Sequence, residues 1–217
     1  MAEKPKLHVF DVDGTILPGD IVERAYWHLS ESEIFKPTQE TQQLLRQSAK
    51  EKERWEYMSM LIDSYIEQKA GAPRKPIREA AEDIVDQALL EIYPEMEKEI
   101  NIRRNNGDLL AIISGSPDVY IQILKRRLGF DIATGSRFFH NRHIYHSSRP
   151  GKSRSREKHY VAQNMALGKG AIIGAAYGDT INDLSLLEHS SEPVAVNPKR
   201  DLRDEAKKNN WRIIDCV

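Results

Sequence analysis

Cysteine is almost missing from this 217-residue chain: its single example, Cys216, lies beside the end of the sequence. An internal disulfide framework is thereby excluded, and a metal site built on thiolates has too few ligands. Long apolar runs are missing as well. No window approaches the roughly 18 apolar residues that a membrane span needs. The opening Met1-Ala2-Glu3-Lys4-Pro5-Lys6 lacks the apolar core of a secretory signal, so a cytoplasmic address is expected. Neither sign of charge dominates, since 32 Lys and Arg meet 33 Asp and Glu for a net charge of −1. Bulk attraction to nucleic acid or membrane is therefore not expected. No internal repeat or low-complexity tract is present. What remains, 40% hydrophobic and 30% charged, is the balance of a globular chain. Its length suits one sizeable domain, or a core carrying a smaller insert.

Three short apolar runs read as buried parallel strands, each too brief for a helix: Leu7–Val12, Leu109–Ile113 and Ala171–Tyr177. Pro193–Asn197 and Trp211–Asp215 read as further strands. Ser116-Pro117 predicts a helix start with Ser116 as N-cap, and Asn197-Pro198 predicts another helix running to about Asn209. This alternation predicts an α/β fold with a Rossmann-like, doubly wound parallel sheet. Residues 17–94 differ. Apolar residues recur there at helical spacing, as in Trp55, Met58, Ile62 and Tyr65, then Ile77, Ala81, Ile84 and Ala88. Gly71-Ala72-Pro73 separates the two runs. The stretch reads as an all-helical cap inserted after the first strand, with residues 1–16 and 95–217 forming the core. Trp55 and Met58 read as packing between cap helices.

The chemistry gathers at strand ends. The first strand leads into Asp11-Val12-Asp13-Gly14-Thr15, the second into Ser114-Gly115-Ser116, the third into Gly178-Asp179-Thr180-Ile181-Asn182-Asp183. Ligands of parallel α/β sheets bind beyond the carboxyl ends of the strands. One place would thus receive carboxylates, a hydroxyl and the backbone N–H groups of a helix start, which suit an anion.

These segments, in this order and with a lysine ahead of the third strand, resemble the haloacid dehalogenase superfamily of phosphohydrolases. The helical insert, together with the tail Val194-Ala195-Val196-Asn197-Pro198, is similar to the phosphoserine-phosphatase-like subgroup. The resemblance implies a Mg²⁺-dependent hydrolase of a small phosphate monoester. Asp11 would be the nucleophile, forming an aspartyl-phosphate, and Asp13 the general acid and base. Asp11, the backbone carbonyl of Asp13 and Asp179 would hold Mg²⁺, with Thr15, Asn182 and Asp183 around them. Ser114, Gly115 and a lysine would bind the phosphoryl group. Lys158 fits the first turn of the helix before the third strand, and Lys152 is the alternative. Asp20 falls near an acid that meets the substrate ammonium in that subgroup, although it also suits the N-cap of a helix starting at Ile21. The cap arginine that holds a substrate carboxylate there is not found within Trp55–Ile66.

Asp13 speaks against dehalogenation, which has no leaving alcohol to protonate. Transfer of the phosphoryl group to an acceptor alcohol stays open. So does a nucleic-acid or protein phosphatase using the basic segment 137–158, where seven Lys and Arg meet one acid, Glu157. The near-neutral charge weakens the nucleic-acid reading.

Overall fold

The computed structural model describes residues 4–136, 138–139, 142–143 and 152–216, with side chains left undescribed between 137 and 157. Its centre is a six-stranded, all-parallel sheet in the order β3-β2-β1-β6-β7-β8. The strands are β1 (Lys6–Phe10), β2 (Leu109–Pro117), β3 (Ile132–Ser136), β6 (Ile172–Gly178), β7 (Glu192–Val196) and β8 (Arg212–Ile214). The chain order reverses around β1, which lies between β2 and β6, so the expected doubly wound α/β fold is present. A hairpin, β4 (Phe138–Phe139) with β5 (Arg142–His143), stands apart from this sheet.

Alternation along β1 builds the two sides. Leu7 and Val9 face Ala162 and Ala166 of α7 (Lys152–Gly168), Leu184, Leu186 and Leu187 of α8 (Leu184–Glu188), and Leu202 of α9 (Arg200–Lys208). Phe10 faces the opposite layer, which holds Met96 and Ile100 of α5 (Pro94–Asn105) and Tyr120 and Leu124 of α6 (Asp118–Leu128). Strand side chains change face at every residue, so an apolar run covered by helices on both sides becomes a central strand.

Between β1 and α5 the chain is helical: α1 (Ile21–Glu31), α2 (Gln39–Glu51), α3 (Arg54–Gly71) and α4 (Arg74–Leu89). These helices do not enclose a separate core. Tyr26, Tyr57, Leu61, Ile84 and Val85 belong to the same apolar cluster as Phe10 and Tyr120. At the seam the Tyr65 and Tyr120 hydroxyls are 3.1 Å apart, and Arg126 and Arg127 of α6 pair with Glu82 and Asp86 of α4. Those ion pairs are exposed and contribute little, so the shared apolar contact holds the layers together. The Tyr93 N–H donates to the Ile16 carbonyl, joining the segments that lead into and out of the helical stretch.

Three local expectations need correction. Trp55 is 37% exposed rather than packed between helices; α3 buries Tyr57, Leu61, Ser64 and Tyr65, one turn-spaced face on which position 55 does not fall. β2 runs on through Pro117, so Ser116 is a strand residue and does not cap α6, whose N-cap position is Pro117 without a side-chain cap. Asn197 takes a left-handed conformation, φ +42°, and its Oδ1 accepts from the Cys216 N–H. It closes a loop there, and α9 starts only at Arg200. Edge strand β3 was not expected, because its half-buried residues Ile132-Ala133-Thr134-Gly135 form no apolar run. Among the described residues no helix is long and apolar enough to cross a membrane.

Candidate active site

Register brings the motif residues together. Phe10 pairs with Ile112 of β2 and with Tyr177 of β6, so the residues just beyond each share one edge of the sheet. Asp11 is fixed by its own N–H, which donates to the Tyr177 carbonyl at 3.0 Å. Immediately afterwards the chain folds back on itself. The N–H groups of Thr15, Ile16 and Leu17 all reach the Val12 carbonyl, and the Gly14 N–H donates to Leu17 O. Glycine is required at position 14 for two reasons: φ is +80°, and a Cβ would lie 2.3 Å from Asp179 Oδ2. Gly178 does the same for the other acid, since a Cβ there would come 2.4 Å from Asp183 Cβ.

The acids Asp11, Asp179 and Asp183 offer carboxylate oxygens that lie within 4.8 Å of one another, and all three residues are buried. Lys158 falls in the second turn of α7 and not in the expected first, because the helix already starts at Lys152; its Nζ lies 2.7 Å from Asp11 Oδ1 and 2.6 Å from Asp183 Oδ1. Asp183 Oδ2 accepts from the Thr180 N–H and hydroxyl in a capping box. That carboxylate therefore closes the turn before it and makes no side-chain cap bond to α8, which follows, while its other oxygen faces Lys158. Asn182 sits beside it in the 3₁₀ turn Ile181–Asp183. Thr15 is buried, with Oγ1 lacking a hydrogen-bond partner among the described residues.

Asp13 lives in a different environment. Its Oδ1 accepts from the Ile21 N–H at 2.8 Å, and its Oδ2 accepts from Ser116 Oγ at 2.7 Å and Ser114 Oγ at 3.1 Å. Gly115, exposed between the buried Ser114 and Ser116, accepts at its carbonyl from Ser136 Oγ at 2.6 Å.

Burial dominates the electrostatics. It pushes Asp11 up to about 7, against the pull of Lys158 and with help from Asp183 and Asp13. Asp13 is pushed up to about 6, by burial and then by Asp20, although its hydrogen bonds oppose this. Asp179 is also raised, by burial and the neighbouring Asp11 and Asp183. Burial would lower Lys158, but Asp11 and Asp183 outweigh it and keep the ammonium charged. Three buried acids against one cation leave a negative excess. An all-oxygen donor set with such an excess fits a hard divalent cation such as Mg²⁺.

A stability test follows from the signs. Acids whose folded values lie above their unfolded ones keep protons in the native state. Their penalty is absent in acid and grows as pH rises from about 4 toward 7. For Asp11 alone it is on the order of a few kcal/mol. The rise in Tm on adding Mg²⁺ to EDTA-treated protein is thus expected to be small at pH 5 and several degrees at pH 8. An increment that shrinks toward pH 8 would remove the cation from this cluster.

At the helical side of the site, Asp20 stands at the N-cap of α1 but makes no side-chain cap bond. It pairs instead with Arg54, which also pairs with Glu23 at 2.5 Å. Tyr57 donates to the other Glu23 oxygen at 2.6 Å. Arg54 lies one residue ahead of the stretch Trp55–Ile66, which holds no arginine; its pairing with Asp20, which lies 34 residues away, is visible only in three dimensions. Apart from Lys158, the side chains of the basic segment 137–158, including Lys152, lie outside the described residues.

A family model described as haloacid dehalogenase-like hydrolase matches residues 8–188, a span that contains Asp11–Thr15, Ser114–Ser116 and Gly178–Asp183 and ends before the tail Val194–Pro198. The phosphoserine phosphatase of Methanocaldococcus jannaschii is 24% identical over 215 residues, covering 95% of this chain and 92% of that protein. A histidinol-phosphatase of Neisseria meningitidis serogroup C is 51% identical over 39 residues. That match spans 18% of each protein, so well under two thirds of that relative's length is covered. The crystal structure of a Bordetella pertussis protein of unknown function superposes with a TM-score of 0.74 at 20% identity, covering 98% of this chain and 99% of that one. At that identity the likeness speaks for the fold.

Proposed function

The chain belongs to the haloacid dehalogenase-like hydrolase family, and from that premise we propose that it is a Mg²⁺-dependent phosphatase of a small, amine-bearing phosphate monoester. One observation carries the reading. Two aspartates two residues apart are held in unlike surroundings, Asp11 against a lysine and Asp13 against hydroxyls and an N–H. Unlike surroundings give paired acids unlike roles.

Asp11 attacks phosphorus in line, and the bond from phosphorus to the ester oxygen breaks as the Asp11 Oδ–P bond forms. Asp13 gives its proton to the departing alcohol oxygen. In the second half-reaction a water oxygen bonds to phosphorus, its proton passes to Asp13, and the Asp11 carboxylate is released. Lys158, Ser114 Oγ and the Gly115 N–H hold the phosphoryl oxygens. Asp11, the Asp13 carbonyl and Asp179 would hold Mg²⁺, with Asp183, Asn182 and Thr15 around them; the ion would supply charge neutralisation at the phosphoryl group.

Residues 17–94 act as the cap and choose the substrate. Among the described residues Arg54 is shared by two acids, Asp20 and Glu23, and the nearby Arg24 is paired with Glu91, so this cluster has one more acid than cation. That balance favours a substrate bringing an ammonium group over one whose far end is neutral or anionic. Phosphoserine and histidinol phosphate, the esters in the names of the two relatives above, both carry an amine.

Phosphate release with Mg²⁺ is the test, across p-nitrophenyl phosphate, phosphoserine, phosphorylethanolamine, histidinol phosphate, glycerol 3-phosphate and sugar phosphates. Turnover should vanish in EDTA, and amine-bearing esters should be preferred at least about tenfold in kcat/KM. No release from any ester would sink the phosphatase; a preference for sugar phosphates would sink the choice of substrate.

A further inference from the structure

Ser116 has no part in the reaction set out above, yet its hydroxyl is committed to that site. It donates to Asp13 Oδ2 at 2.7 Å, closer than Ser114 Oγ at 3.1 Å. Both hydroxyls reach one carboxyl because strand side chains repeat on a face at every second residue. Ser116 is buried, and β3 closes tightly over its backbone: a Cβ on Gly135 would lie 2.7 Å from the Ser116 carbonyl oxygen. The Ser116 N–H donates to Ser114 Oγ at 3.0 Å, so the two serines are also held to each other. Helix α6 starts next to Ser116 with no side-chain cap, although serine is among the best capping residues. The hydroxyl is turned to the carboxyl and away from the helix.

Resting on the reading of Asp13 as acid and base, we propose that Ser116 is a positioning residue that keeps the Asp13 carboxyl aimed at the leaving-group oxygen and frees Ser114 to serve the phosphoryl group. A serine hydroxyl has one proton to donate. When a phosphoryl oxygen takes that of Ser114, Asp13 Oδ2 keeps Ser116 as its side-chain donor. A hydroxyl both donates and accepts, so Ser116 can serve Oδ2 before and after the proton leaves it. The Ile21 N–H on Oδ1 is a donor only and cannot reverse its role. The proton of Asp13 is therefore best carried on Oδ2, where Ser116 donates to the remaining lone pair and leaves the proton itself directed at the leaving oxygen.

The experiment compares Ser116→Ala and Ser116→Thr with wild type, using kcat/KM on p-nitrophenyl phosphate and on the alkyl ester turned over best in the substrate panel. kcat/KM reports steps up to alcohol departure. p-Nitrophenolate leaves without a proton, whereas an alkoxide needs one. Ser116→Ala is expected to lose at least about tenfold more on the alkyl ester than on the aryl ester, with Ser116→Thr recovering most of that difference. A merely structural defect would lower both esters equally, and that result, in a folded variant, overturns the proposal. If Ser116→Thr fails to fold, the alkyl-to-aryl ratio of Ser116→Ala decides alone. Wild-type protein inactive on every ester would overturn the phosphatase reading, and this proposal with it; an active wild type with an unchanged ratio overturns the proposal only.

Discussion

Replacing Asp11 by asparagine is expected to abolish turnover, lowering kcat/KM on p-nitrophenyl phosphate by at least about four orders of magnitude. An amide cannot form the acyl phosphate, and no other carboxylate among the described residues stands in its place at the end of β1 between Lys158 and the turn at Gly14. The fold should not suffer. Burial pushes Asp11 up to about 7, so its ionised form is a burden on the metal-free native state. Asparagine keeps the shape and an oxygen for Lys158 while removing that charge. Thermal unfolding in EDTA at pH 8 should therefore show a Tm equal to or above that of wild type. Retained activity would refute the nucleophile. A lowered Tm would instead show that Asp11 is needed for folding, contrary to the electrostatics described above.

Lys158→Ala should damage both activity and stability. Its ammonium lies between Asp11 and Asp183, in contact with both. Without it the three buried acids lose their nearest cation, and removing one partner of a buried pair typically costs about 3–5 kcal/mol. The carboxylates can escape part of that cost by taking up protons, so the loss of Tm should be greater at pH 8 than at pH 5. Mg²⁺ should restore part of it. Activity should fall by about two to three orders of magnitude, because a charged donor to the phosphoryl oxygens is gone. Lys152→Ala should change either quantity little. A larger activity loss from Lys152→Ala than from Lys158→Ala would reverse the assignment of the phosphate-binding lysine.

Particular residues show how far the sequence could be read. β1, β2 and β6 were legible because a strand buried on both faces must be apolar throughout, and each run stops at a polar motif. Asp11, Asp13, Ser114 and Asp179 were legible for a related reason: each lies within a few residues of the end of such a run. β3 was not, since an edge strand needs only half its surface covered and carries no run to detect. Ser116 was read by its local grammar, serine before proline, as a helix cap; the hydroxyl instead went to a carboxylate more than 100 residues away in sequence. Arg54 was not legible, because nothing local marks an arginine at the start of a helix as the partner of Asp20.

By itself, then, the sequence determined the class of fold, the order of the motifs and the identity of the paired aspartates, all of which depend on apolar runs and on spacing along the chain. Tertiary structure decided that Lys158 joins Asp11 to Asp183, that Arg54 faces Asp20 and Glu23, and that Ser116 serves Asp13. A side chain chooses among partners by distance and by the cost of leaving a buried polar group unsatisfied, and both are set only when separate strands and helices meet.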